Sequence, residues 1–75
     1  MKDSGLHMEQ LREQLREAKR TRAEIVVSAA GWKARGNKIA VRKCQELIEI
    51  WGATIAVLEE KIAVLYAREE SDDEL

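Results

Sequence analysis

The feature that most constrains this chain is a seven-residue repeat of apolar side chains in its second half. Apolar residues recur at alternating steps of three and four over more than three heptads. This spacing is typical of a helix that packs lengthwise against another helix. We therefore predict a helical core, shared with an oligomer, that contains Val41, Cys44, Ile48, Trp51, Ile55, Leu58, Ile62 and Leu65.

A second, narrower apolar stripe runs through the first half of the chain. It is interrupted at Arg22 and otherwise consists of Met8, Leu11, Leu15, Ala18, Ile25 and Ala29. Proline is absent and helix-favouring residues dominate the composition. The two stripes predict an all-α antiparallel helical hairpin, with helices at about residues 5–30 and 38–70. Ser4 is a suitable N-cap for the first helix.

The connection between the helices is predicted at about residues 31–37. Gly31 fits the left-handed position that ends a helix, with Trp32 folding back on Val27. Alternatively, the first helix runs on and turns at Gly36. Asn37 is a suitable N-cap for the second helix in either case.

Arg22 and Gly52 each depart from the pattern of their helix. Arg22 either extends to water or pairs with Glu46 or Glu49, because a turn near residue 34 places residue i opposite about residue 68 − i. A glycine inside a helix costs roughly 1 kcal/mol relative to alanine. Neutral drift, a slight bend and a close helix crossing all account for Gly52. We favour the close crossing, because Gly52 and Ala56 form a pair of small residues four apart.

The second helix carries more apolar surface than the first helix can cover. Beyond the main stripe, its sides present Leu47, Ile50, Val57 and Val64. A helix that is apolar over much of its circumference has to be buried on several sides, and a chain of 75 residues buries only a modest core alone. We therefore predict a coiled-coil homodimer in which two hairpins form a four-helix bundle.

Charge is segregated along the chain, although the net charge is only −1. Residues 12–43 carry ten basic and three acidic side chains, whereas residues 44–75 carry two basic and nine acidic ones. A hairpin gathers the basic residues near its turn, where they can bind phosphate groups or a partner while Trp32 stacks on a base. The candidate residues are Arg20, Arg22, Trp32, Lys33, Arg35, Lys38, Arg42 and Lys43.

No constellation typical of catalysis accompanies this basic cluster. The single Cys44 at a core position and the single His7 provide neither a nucleophile with its base nor a zinc site. We therefore predict that the chain is not an enzyme and has no catalytic, cofactor-binding or metal-binding residues. One cysteine favours a reducing compartment, and no targeting or membrane-spanning segment stands out, so we expect a cytoplasmic protein with no membrane partner.

The predicted function is interaction. Residues 1–75 would form one domain, with an acidic tail at 71–75, that serves as an oligomerisation or adaptor module for a protein partner. The alternative is a nucleic-acid-binding dimer that uses the basic turn. An antiparallel dimer places each basic turn beside a partner's acidic tail and favours the first function, whereas a parallel dimer favours the second.

Overall fold

The two apolar stripes correspond to two long helices packed side by side. A computed structural model describes the backbone of residues 2–74 and the side chains of residues 7–68. Helix α1 spans Lys2–Ala34 and helix α2 spans Lys38–Glu74. The two helices pack against each other as a hairpin. The helical hairpin predicted from the heptad pattern is therefore confirmed.

Both helices are longer than the sequence indicated. Helix α1 begins before Ser4 and continues through Gly31, which is helical rather than left-handed. One glycine costs a helix only about 1 kcal/mol, and the two alanines before Gly31 favour continuation. Helix α2 runs through the predicted acidic tail as far as Glu74. The side chains of Ser4 and of residues 71–75 lie outside the described residues.

Residues 35–37 form the turn that connects the helices. Asn37 takes part both in the hydrogen bonds that end α1 and in the cap that begins α2. Gly36 is left-handed, with a φ of 75°. Its N–H donates to the carbonyl of Lys33 at 3.0 Å, and the N–H of Asn37 donates to the carbonyl of Trp32 at 3.0 Å. These two bonds form a Schellman motif. The side-chain oxygen of Asn37 then accepts the N–H of Ala40 at 3.1 Å, which confirms the predicted N-cap.

The position of the turn sets which residues face each other. Because the helices are joined through residues 35–37, residue i of α1 lies opposite about residue 73 − i of α2. The neighbouring positions of Arg22 and Gly52 agree with this register. The register expected from a turn near residue 34 was therefore wrong by about five residues, which exceeds one helical turn.

Burial is concentrated toward the open end of the hairpin, away from the turn. Among residues 7–68, the four buried apolar residues are Met8, Leu11, Ala18 and Leu58. The other seven core residues predicted on α2 are half-buried along the seam between the helices. The hairpin measures 59 × 15 × 12 Å and has a radius of gyration of 17.2 Å, against about 11 Å for a compact chain of this length. One stripe of α1 therefore covers the apolar face of α2 only in part.

Candidate functional site

The hairpin has two flanks, one on each side of the plane that contains the helix axes. We label Met8 and Leu11 of α1, and Val41 and Cys44 of α2, as heptad positions a and d. Positions e and g then border the core on opposite sides, and antiparallel helices bring e next to e and g next to g. Lys19 and Glu59 occupy e positions, and their Nζ and Oε2 atoms are 3.9 Å apart. His7 and Lys61 occupy g positions and line one shallow depression. The Lys19–Glu59 ion pair therefore marks the flank on the e side, and the depression shared by His7 and Lys61 marks the flank on the g side.

The side bordered by the g and c positions carries an apolar strip on α2, and we call it the apolar flank. Its α2 residues are exposed by 44–60% and are Leu47, Ile50, Val57 and Val64. They span about 25 Å of helix. The g positions of α1 on the same side carry no carboxylate, lysine or arginine and are His7, Gln14, Thr21 and Ser28. The apolar flank is thus a continuous strip that the hairpin itself leaves uncovered.

The opposite side, bordered by the e and b positions, is strongly positive, and we call it the basic flank. Its cations are all exposed and are Arg12, Arg16, Lys19, Arg22, Lys33, Lys38 and Arg42. Within residues 7–68, helical periodicity places three acids on the same side, which are Glu9, Glu49 and Glu59. Since seven cations face three acids among residues 7–68, this part of the basic flank carries an excess of four positive charges.

The basic flank contains an open groove beside the turn. Lys33, Lys38 and Arg42 line this groove, whose volume is about 470 Å³, together with Gly36 and Asn37. No acidic residue occurs anywhere between residues 25 and 45. Three of the basic residues predicted for a phosphate site are therefore brought together in a part of the chain that has no acid of its own.

Arg22 lies on the same flank, one step further from the turn. With Lys19 and Gly52 it lines a second open groove of about 420 Å³. A Cβ atom built at Gly52 would be 3.8 Å from Arg22 Nε, so the Arg22 side chain lies beside this glycine. Arg22 therefore extends to solvent across Gly52, and the shifted register accounts for the absence, among the described side chains, of an ion pair with Glu46 or Glu49.

The close helix crossing expected at Gly52 is not observed in the described residues. The only atom within 4 Å of a Cβ there, apart from the local helix, belongs to the flexible Arg22 side chain. A methyl group at this position would be in ordinary van der Waals contact. Among the described residues, therefore, neither a neighbouring backbone nor the Arg22 side chain requires a glycine at position 52.

Trp32 and Arg35 form a pair at the end of α1. The guanidinium carbon of Arg35 lies 5.4 Å from the centroid of the Trp32 ring, a cation–π arrangement. Val27 is 72% exposed, so the expected contact in which Trp32 folds back on it does not cover it. Because Arg35 covers one face of the indole, Trp32 is less available for stacking on a base than the sequence suggested.

The remaining two predicted residues lie away from these grooves. Arg20 falls at the f position on the back of α1, and Lys43 falls at a c position beside the apolar flank. Conversely, the sequence interpretation missed Arg12, Arg16 and Lys19 as members of the same surface. Their signal was present in the heptad positions b and e, which they share with Lys33 and Arg42.

Cys44 is half-buried in the seam, where the sequence placed it. Within residues 7–68 no three His, Cys, Asp or Glu side chains are grouped closely enough to hold a metal ion. In the part of the chain that the structure describes, neither helix has an apolar stretch long enough to cross a bilayer.

Comparison with known proteins gives no further guide to the site: no family model, no curated protein and no solved structure matches this chain.

Proposed function

We propose that this chain is a non-enzymatic oligomerisation module, in which two copies associate through their apolar flanks and form a four-helix bundle. The observation that carries the proposal is the exposed strip on α2. Ile50, Val57 and Val64 are seven residues apart and remain about half exposed. Apolar side chains repeated in sevens on the outer side of a helix are the pattern by which another helix is recognised.

The exposed area of the hairpin supports an obligate contact. The chain exposes 6361 Å², whereas a compact monomer of 8.6 kDa would expose about 4,700 Å². The excess is about 1,700 Å² per chain, so a dimer that buried only this excess would hide about 3,400 Å² in total. Obligate homodimers bury about 2,000–5,000 Å². The area is therefore what a permanent dimer requires.

A second copy is the partner that the chemistry of the flank fits best. A two-fold axis brings the same surface of both copies together, so the apolar strip of one copy packs against the apolar strip of the other. On the same side, α1 carries Glu17 and Glu24 at c positions, and α2 carries Lys43 and Lys61 at c and g positions. Acids of one copy can thus approach lysines of the other across the axis, which favours a specific alignment.

An adaptor role follows from the surfaces that such a dimer keeps exposed. The backs of both helices and the basic flank lie away from the apolar flank, so dimerisation leaves them available to a further protein partner. The partner's acidic segment at residues 71–75 would approach the basic turn only in an antiparallel dimer. The side chains of that segment lie outside the described residues, so this contact remains a prediction.

Sedimentation equilibrium of matched valine variants tests the proposal. The parent protein is expected to sediment at twice the chain mass of 8.6 kDa at micromolar concentration. Val57→Glu places one carboxylate per copy in the interface and is expected to raise the dimer dissociation constant by at least about 100-fold. Val27→Glu makes the same change on the exposed back of α1 and is expected to leave dimerisation unchanged.

The two variants separate dimerisation from folding. Both valines are largely exposed in the hairpin, so neither change removes a buried side chain of the single chain. A parent protein that is folded and monomeric at micromolar concentration would overturn the proposal. Equal dimerisation of the parent and Val57→Glu would show that a different surface forms the dimer.

A further inference from the structure

We propose that the basic flank binds the phosphate backbone of a nucleic acid duplex without reading its sequence. The basic flank is the surface defined above by seven exposed cations. It lies on the side of the hairpin opposite the apolar flank, so the surface is equally exposed in a monomer and in a dimer. The proposal therefore does not depend on the proposed function.

The first support is the distribution of charge. Residues 25–45, which include the turn, carry five basic side chains and no acid. Of these, Lys33, Lys38 and Arg42 line one groove on the basic flank. The one ion pair among the described side chains, Lys19 with Glu59, lies nearer the open end and spans 3.9 Å between exposed groups. Most of the positive charge is thus free to meet an external anion.

The second support is the length and straightness of the flank. From Arg12 to Lys33 the cations follow one side of α1 over about 32 Å. A duplex rises about 3.4 Å per base pair, so this length matches about nine base pairs of backbone. The second groove, beside Arg22 and Lys19, lies between these ends. A linear polyanion can therefore contact cations along the whole flank, which a compact anion cannot.

The third support is the sparseness of exposed apolar groups on the basic flank. Of the exposed large apolar side chains in residues 7–68, helical periodicity places only Val26 and Tyr66 on the basic flank, one on each helix, and it places Val27 and Ile39 on the backs of α1 and α2. A peripheral membrane helix instead aligns apolar residues beside its cations. Trp32 is covered on one face by Arg35, so recognition through stacked bases is also disfavoured. Phosphate contacts made by long cationic side chains remain the chemistry that fits.

Fluorescence anisotropy with a labelled random-sequence DNA duplex of about 20 base pairs tests the proposal. The binding constant K is measured at several salt concentrations, and each phosphate contact contributes about −0.9 to the slope of log K against the logarithm of the salt concentration. Four to six contacts give an expected slope of about −4 to −5 for the parent. The triple variant Lys33→Gln, Lys38→Gln, Arg42→Gln is expected to reduce the magnitude of that slope by about 3 and to weaken binding at low salt more than about tenfold.

A matched control separates the flank from net charge. Arg20→Gln, Lys43→Gln and Lys61→Gln remove two lysines and one arginine from outside the basic flank. Because Lys43 and Lys61 border the apolar flank, sedimentation equilibrium checks that this triple variant keeps the oligomeric state of the parent, and it is then expected to retain nearly all of the parent affinity. A second flank variant, Arg12→Gln with Arg16→Gln, is expected to reduce the slope by about 2, since the flank extends beyond the turn. Circular dichroism checks that every variant remains helical.

Four results would overturn the proposal. The first is that the parent does not bind the duplex at low salt, and the second is that both triple variants lose the same amount of duplex affinity. The third is that the Arg12 and Arg16 variant keeps the salt slope of the parent. The fourth is that the protein binds phosphatidylserine vesicles but not the duplex. Equal binding of DNA and RNA duplexes would support it, since only the phosphates are contacted.

Discussion

Three glycines of the hairpin should respond to one substitution in opposite directions. Gly31 and Gly52 are helical, and Gly36 is left-handed with a φ of 75°. A Cβ atom at Gly31 would have no neighbour within 4 Å, and one at Gly52 would lie 3.8 Å from Arg22 Nε. Neither helical site is crowded, so the backbone conformation alone decides the outcome at all three positions.

The expected magnitudes follow from helix propensity and from chirality. Alanine is favoured over glycine by about 1 kcal/mol in a helix interior, so Gly31→Ala and Gly52→Ala should each raise the free energy of unfolding by about that amount. For a domain of this size 1 kcal/mol corresponds to about 4–8 °C in Tm. Gly36→Ala should lower the free energy of unfolding by about 1–2 kcal/mol, because an L-residue disfavours the left-handed conformation.

Thermal and urea denaturation followed by circular dichroism measures all three variants. Protein concentration has to be held constant, since the stability of an oligomer depends on it. Gly31→Ala is the internal control for propensity, because nothing surrounds that site. If Gly52→Ala is destabilised while Gly31→Ala is stabilised, a backbone or a second copy lies against Gly52 and the reasoning from open space is refuted. A neutral Gly36→Ala would refute the left-handed turn.

Three further predictions concern single side chains. Leu58→Ala removes a buried side chain and should lower the free energy of unfolding by about 2–4 kcal/mol in urea titration; an unchanged midpoint would show that Leu58 is outside the core. Asn37→Ala should cost about 1 kcal/mol through loss of the bond to the Ala40 N–H, whereas Asn37→Asp should keep the stability of the parent; equal melting of the two variants would contradict the cap. Cys44 should react more slowly with a thiol reagent in the native protein than in denaturant, because it is half-buried; equal rates would argue against its place in the seam.

The seam between the helices could be predicted because its period is imposed by helix geometry. Side chains three and four residues apart share one face whatever the rest of the chain does. All eight residues predicted on α2, from Val41 to Leu65, are buried or half-buried. The sequence also marks a second apolar strip, from Leu47 to Val64, but periodicity alone does not say which chain covers it, so the dimer contact stays a prediction.

The turn was harder to place, because two glycines compete to end α1. Gly31 follows good helix formers, whereas Gly36 directly precedes the N-cap Asn37. When the helix ends at Gly36, one short connection provides hydrogen-bond partners both for the last carbonyls of α1 and for the first N–H groups of α2. An error of two or three residues in the turn is doubled in the register, which is why the expected partners of Arg22 were wrong.

The candidate site was predicted only in part, because the cations were grouped by their distance from the turn and not by their position around each helix. Grouping cations by their distance from the turn found Lys33, Lys38 and Arg42, which do line one groove. It also included Arg20, which periodicity places on the back of α1, and it omitted Arg16. On a hairpin this narrow, the angular position of a residue around its helix matters more than its distance along it.

The concentration of burial at the open end has a consequence for the order in which the protein folds. Near the turn, Trp32 and Val41 face each other after closing a loop of about 9 residues, whereas Met8 and Leu65 close about 57; the entropic difference is about 1.6 kcal/mol. Contacts that form early therefore involve exposed or half-buried side chains, and the buried ones at Met8, Leu11 and Leu58 are completed late. Interactions absent from the transition state control the rate of unfolding. The open end, rather than the well-bonded turn, should therefore set the lifetime of the native state.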